Sequence, residues 1–258
     1  MRARRWSGTV GASLLLMAVT ALAACGGGSG EGTIEGSPVA GITDVCQPLA
    51  RAKSYRYTFS YKLESLKPTG PVDETAVGSP PFALRPSDAD FQVAQELQGA
   101  VRNPDRVELT INTEGTDSLR MIFIGPNQYV LTGEQWIQRQ AEAVPFPALS
   151  VCNAMVSGVD LSGEEPAEDS LDGEEARRYE AKGVALNTAV SLWTQQSDMG
   201  RLLKTYDVTV WLAKDGKTPL RLESRTVGAY PSGRELTMEL TLTLKDFDDG
   251  DVKVEPPI

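Results

Sequence analysis

The chain contains no histidine among its 258 residues. That removes Ser-His and Cys-His nucleophilic pairs and the commonest zinc ligand together. No serine is followed three residues later by lysine, so a Ser-x-x-Lys dyad is missing as well. Carboxylates are plentiful, but the sequence alone identifies no pair of them that faces a cleft, so no catalytic pair is named and an enzyme is not expected. Basic residues are outnumbered, with 25 Lys and Arg against 35 Asp and Glu and a formal charge of -10. Such a chain does not suit a phosphate backbone, so nucleic acid is not an expected partner. The same acidity gives no attraction to an anionic membrane surface. After the first 24 residues no apolar run is long enough to cross a bilayer, which takes about 20 residues. Cysteine is scarce, at three residues, and each position is informative.

Cys25 follows Leu22-Ala23-Ala24 at the end of a short apolar run from about Val10, itself preceded by Arg2, Arg4 and Arg5. This is the layout of a secretory signal segment. Its end resembles a bacterial lipobox, in which the cysteine receives a diacylglyceryl group (an acyl anchor of the palmitate kind) and becomes the new N-terminus. Residues 1–24 are therefore expected to be a signal peptide. Residues 25–41, opening with Gly26-Gly27-Gly28-Ser29-Gly30, are expected to be a flexible tether anchored through Cys25. Removing the first 24 residues takes away three arginines and no acid, which leaves a charge of -13. The expected location is the extracytoplasmic side of the cell membrane, held by acyl chains worth about 0.8 kcal/mol per buried methylene. The alternative is an ordinary signal peptide with an incidental cysteine.

Cys46 and Cys152 are the remaining pair. In an exported chain an even pair is expected to be bridged rather than left as two buried thiols.

The remainder, residues 42–258, is long enough for one sizeable core. A short helix is expected at Val45–Ala50, with Thr43 or Asp44 as N-cap and Pro48 in its first turn. Tyr55–Leu63 alternates apolar and polar residues without a break, a strand with one aromatic face. Residues 67–86 read as irregular, and Asp88–Ala100 as either a helix or a distorted strand. Strands are expected at Arg106–Thr113, Ser118–Ile124, Gln128–Thr132 and Glu134–Arg139, with turn chemistry between them. Pro145–Ser157 reads as helix or loop, and the acidic Gly163–Glu175 as a solvated loop. After a strand at Arg177–Lys182, the spacing of Leu186, Ala189, Val190 and Trp193 predicts an amphipathic helix over Leu186–Met199. Thr205–Ala213, Pro219–Val227 and Arg234–Phe247 close the chain as strands. In the last of these Leu236, Met238, Leu240, Leu242 and Leu244 share a face. The pattern is α+β: an antiparallel meander with one wet face and one that must be covered. The solution expected is a strongly curved β half-barrel with helices covering its concave face.

Several stretches resemble the LolA-like lipoprotein-carrier superfamily, and within it the LppX/LprG-type lipoprotein branch. They are Asn127-Gln128-Tyr129-Val130 before Gln135-Trp136, Asp172-Gly173 leading into Glu174–Glu180, and Val208–Leu212 with Asp215-Gly216 and Pro219–Leu222. Leu244–Phe247 with Val254–Pro257 completes the set. Order and spacing carry the likeness over roughly Asp44–Pro257. It implies a half-barrel enclosing an apolar cavity for lipids or lipidated molecules, carried or presented within the cell envelope. No cofactor is implied, a monomer is expected, and an envelope protein partner is compatible with it.

The side chains that could line such a cavity are Tyr55, Tyr57, Phe59, Tyr61, Leu109, Ile111, Met121, Phe123, Trp193, Met238, Leu240 and Leu242. Tyrosine suits a place where acyl chains meet a headgroup. The same residues would equally form a solid core under helices. Asp246, Asp248, Asp249 and Asp251 around Gly250 lack the glycine position and distal glutamate of a calcium loop, so they read as a solvated turn and no metal is expected. A surface interaction or sensor domain with the same fold and a filled interior is the alternative function.

Overall fold

The computed structural model describes residues 45–66, 91–113, 117–141, 143–145, 147–156, 159, 161, 165–182, 203–229 and 235–257. Its elements are β1 (Ser54–Leu66), β2 (Phe91–Arg102), β3 (Arg106–Thr113), β4 (Leu119–Ile124), β5 (Asn127–Thr132) and β6 (Gln135–Gln140). Then follow β7 (Ala167–Leu171), β8 (Glu174–Lys182), β9 (Leu203–Ala213), β10 (Pro219–Ala229) and β11 (Glu235–Lys245). Two helices are described, α1 (Gln47–Arg51) and α2 (Ala148–Val156).

All these strands form one open antiparallel sheet in the order β6-β5-β4-β3-β2-β1-β11-β10-β9-β8-β7. It is two meanders fused at their centre. β1 pairs with β11 along its length, placing Phe59 opposite Leu242 and Tyr61 opposite Leu240. The pairing is long-range, and it joins the aromatic stripe of β1 to the leucine stripe of β11 on one face.

That face carries the core. Tyr55, Tyr57, Phe59, Leu97, Leu109, Met121, Phe123, Val208, Val210, Leu222, Leu240, Leu242 and Leu244 are buried there with Val151, Cys152, Met155 and Val156 of α2. The opposite face is ionic, with pairs such as Arg56–Asp246 (3.2 Å), Arg120–Glu108 (3.2 Å) and Arg225–Glu239 (3.5 Å). These are exposed pairs and contribute little to stability. A smaller apolar cluster on that face seats the chain end: Val252 and Val254 are buried with Ala100 and Ile122. Arg106 fixes it by donating to the Val254 carbonyl at 3.2 Å.

The pair Cys46–Cys152 is bridged, with Cα atoms 5.9 Å apart, and so ties α1 to α2. Asn103, in the β2–β3 connection, donates to the carbonyls of Leu49 (3.1 Å) and Ala52 (2.7 Å) and so holds the end of α1 to the sheet.

Two expectations, the N-cap of α1 and the acidic loop, are corrected. The N-cap of α1 is Cys46, with no side-chain cap, rather than Thr43 or Asp44, which lie outside the described residues. Of the two readings left open for Asp88–Ala100, the described part, 91–100, is strand, because β2 is paired on both sides, to β1 and β3. The acidic segment Gly163–Glu175 is not all loop: Ala167–Leu171 forms edge strand β7. Trp211 holds that edge by donating from Nε1 to Asp169 at 3.0 Å. The aspartates near Gly250 form the solvated turn expected, all four exposed; Asp248 accepts from the Lys53 N–H (2.5 Å) and donates its own N–H to the Ser54 carbonyl (2.8 Å). The helix expected over Leu186–Met199, the signal segment and the tether lie outside the described residues. The open eleven-stranded sheet matches the antiparallel expectation, and α2 packs on its apolar face.

Candidate functional site

The apolar face is graded rather than uniform. In its middle, Phe59, Leu97, Leu109, Leu222 and Leu242 are fully buried. Toward the C-terminal end of β1, Tyr61 and Leu63 are only half-buried, as are Ile111, Leu119 and Val130 on the strands leading to the β6 edge. At that edge Ile137, opposite Val130, is 51% exposed.

Of the twelve cavity candidates the structure brings all but Trp193 onto this one face, and Trp193 lies outside the described residues. Their surroundings differ. Tyr57 lies against Gly99 with no room for another atom. Tyr55 stacks on Phe247, ring centroids 5.8 Å apart. Phe59, Leu109, Met121, Phe123 and Leu242 are packed core. Tyr61, Ile111, Met238 and Leu240 stand nearest the half-buried end. Burial raises the Tyr55 hydroxyl to about 12 and pushes Tyr57, Tyr61 and Tyr206 upward too. All four are therefore neutral hydroxyls at ordinary pH.

Three hydroxyls at that end lie outside the candidate set named above. Tyr206 donates to the Met155 carbonyl of α2 at 2.5 Å. Ser224 and Thr226 are buried beside it on β10. Ser224 lies close enough to ease the ionisation of Tyr206 slightly, but its own oxygen makes no hydrogen bond of sound geometry. The signal for them was available. Counting by twos from Leu222 puts Ser224 and Thr226 on the apolar face. Their polar character hides it, since Glu223 and Arg225 alternate with them.

At the opposite side of the face, Gln128 is buried; it accepts from Arg139 Nε at 2.9 Å and donates to the Met121 sulfur at 3.4 Å. Two depressions lie on the ionic face instead. One of about 420 Å³ is lined by residues that include Lys62, Glu96, Asn112 and Glu239, and one of about 270 Å³ by Asp207, Glu223, Arg225 and Thr241 among others. Their linings are charged and do not suit acyl chains. Among the described residues no group of three His, Cys, Asp or Glu is placed to hold a metal ion. Nor is any helix among them long and apolar enough to cross a membrane.

No protein-family model matches this chain, and no curated protein does. Solved structures do resemble it. The lipoprotein LppX of Mycobacterium tuberculosis is 14% identical at a TM-score of 0.44, covering 83% of this chain and 96% of its own. LprF from Mycobacterium bovis is 10% identical at 0.41, covering 84% and 94%. A domain from Vibrio parahaemolyticus taken to belong to an outer-membrane lipoprotein-sorting protein is 10% identical at 0.24, covering 81% and 93%. These likenesses are distant in sequence and partial in shape.

Proposed function

We propose that this chain is a membrane-tethered, non-catalytic binder of an amphiphile, which it carries or presents within the cell envelope. The observation behind this reading is the gradient on the apolar face, from a fully buried centre to half-buried Tyr61, Leu63, Ile111, Leu119 and Val130. Acyl chains laid on that margin leave water at about 25 cal/mol per Å² of apolar surface covered, without any charged contact. The headgroup stays in solvent. α2, held by the disulfide and by Tyr206, is the layer that shifts to admit the chains. A lipid on Cys25 and the tether of residues 25–41 keep the domain at the extracytoplasmic membrane surface, as a monomer.

The full chain carrying Cys25→Ala tests both parts. It should be released in soluble form and carry a lipid adduct in native mass spectrometry, and Leu63→Glu should remove that adduct. A clean mass with no uptake of added fluorescent phospholipid would contradict the binding role, and retention of Cys25→Ala in the membrane would contradict the anchor.

A second reading has one observation in its favour: exposed Ile137 sits on edge strand β6, which among the described strands pairs only with β5. An interaction or sensor domain would dock a partner strand there.

A further inference from the structure

Ser224 and Thr226 are each only 4% exposed, yet among the described residues neither Ser224 Oγ nor Thr226 Oγ1 has a hydrogen-bond partner. They stand two residues apart on β10, so both project from the apolar face. Ser224 is flanked by Leu240 and Val208, and Thr226 by Met238 and Tyr206. Tyr206 directs its own proton to the Met155 carbonyl. A buried hydroxyl without a partner destabilises a fold relative to an apolar side chain of the same shape. Alanine and valine would fill these two positions without that penalty. Two such hydroxyls in succession point to a partner that the described residues do not supply.

The chemistry of that partner follows from the surroundings. Glu223 and Arg225, the adjacent residues, lie on the ionic face and pair there with Arg221 and Glu239. The setting of the two hydroxyls on the apolar face is therefore neutral, flanked by Val208, Tyr206, Met238 and Leu240. It suits an uncharged oxygen acceptor inside an apolar molecule rather than an ion. The cross-strand row of Thr226 runs through Met238 to Leu63, and that of Ser224 through Leu240 to Tyr61. Two strand spacings, roughly 10 Å, separate the hydroxyls from the half-buried margin.

We propose that Ser224 and Thr226 donate hydrogen bonds to an acyl carbonyl of the bound amphiphile. That carbonyl is the ester of a glycerolipid or the carboxyl of a fatty acid kept neutral by burial. The inference rests on the amphiphile-binding reading above.

The test uses the full chain in its Cys25→Ala form and three fluorescent probes of equal chain length: a diacyl phosphatidylcholine, its dialkyl ether counterpart, and the fatty acid. The ether lacks only the carbonyl. Wild-type residues at 224 and 226 should favour the ester over the ether by about tenfold, as expected for two hydrogen bonds. Ser224→Ala with Thr226→Val should lose that preference, keep the ether affinity, and melt no lower than the parent. Loss of fatty-acid affinity in the variant would identify the carboxyl as an accepted source, and its retention would restrict the site to esters. Equal ester and ether affinities in the parent, or a preference surviving in the variant, would overturn the proposal while leaving amphiphile binding intact. Failure to bind any of the three would overturn the amphiphile reading and this inference with it.

Discussion

A Cβ built on Gly99 would lie 2.1 Å from Cε1 of Tyr57, the residue opposite it on β1. The aromatic ring thus occupies the volume that any other side chain at 99 would need. Tyr57 is 2% exposed and cannot swing out without leaving a void. Gly99→Ala should therefore destabilise the domain by about 1–3 kcal/mol, the range for overpacking. Denaturant unfolding measures it. Gly99→Ala combined with Tyr57→Ala should recover part of the loss relative to the sum of the singles, because the clash is removed.

The disulfide links residues 106 apart in sequence and joins the two helices on the apolar face. Closing a loop of that length constrains the unfolded chain by about 4–5 kcal/mol on the chain-entropy model. Cys46→Ser with Cys152→Ser should lower stability by roughly 2–5 kcal/mol. Both sulfurs are buried, so in the native protein the bond should resist mild reductant until the domain opens.

Tyr206→Phe removes the one hydroxyl contact described between β9 and the Met155 carbonyl. The expected cost is about 1 kcal/mol, and more if the carbonyl is left dry. Amide exchange should quicken in α2 and not in β3–β6. Uniform quickening across the sheet would instead indicate that the variant loosens the whole fold.

Alkaline titration probes the buried tyrosines. Burial raises Tyr55 to about 12 from its usual 10, and raises Tyr57 and Tyr206 as well. A folded state that holds these protons more tightly than the unfolded chain is stabilised by them below pH 10. That contribution is lost as pH rises through the raised values. Tyrosinate absorbance and unfolding should therefore appear together between about pH 10 and 12. Ionisation of every tyrosine before any loss of structure would contradict the packing of Tyr55 and Tyr57.

Much of the sheet is legible in the sequence because one of its faces is wet. Strict alternation marks β1 and β11, and the turn residues around Gly125, Gly133 and Gly216 mark the hairpins. The pairing of β1 with β11 is not written locally; it follows only from the burial of both apolar stripes. β7 is not legible in the sequence because Ala167-Glu168-Asp169-Ser170-Leu171 is an edge strand with no apolar stripe. Its hairpin did leave a trace: Asp172 and Gly173 both take positive φ, 52° and 88°, as a two-residue type I′ turn requires, and Asp-Gly is a preferred sequence for one. β2 was ambiguous because Ala94, Leu97 and Val101 also fit a helical stripe; its two paired neighbours decide it. The apolar part of the candidate site was legible from alternation. Its hydroxyls were not, since a serine or threonine in a strand looks like the wet face until the register is known.

The most direct test of amphiphile binding is photo-crosslinking of the full chain with a phospholipid bearing a diazirine in its acyl tail, followed by peptide mapping. The account predicts adducts on the margin of the apolar face, at Tyr61, Leu63, Met238 and Leu240, competed by unlabelled phospholipid. Adducts confined to the ionic face around Lys62, Glu96 and Glu239, or none that unlabelled lipid displaces, would contradict it.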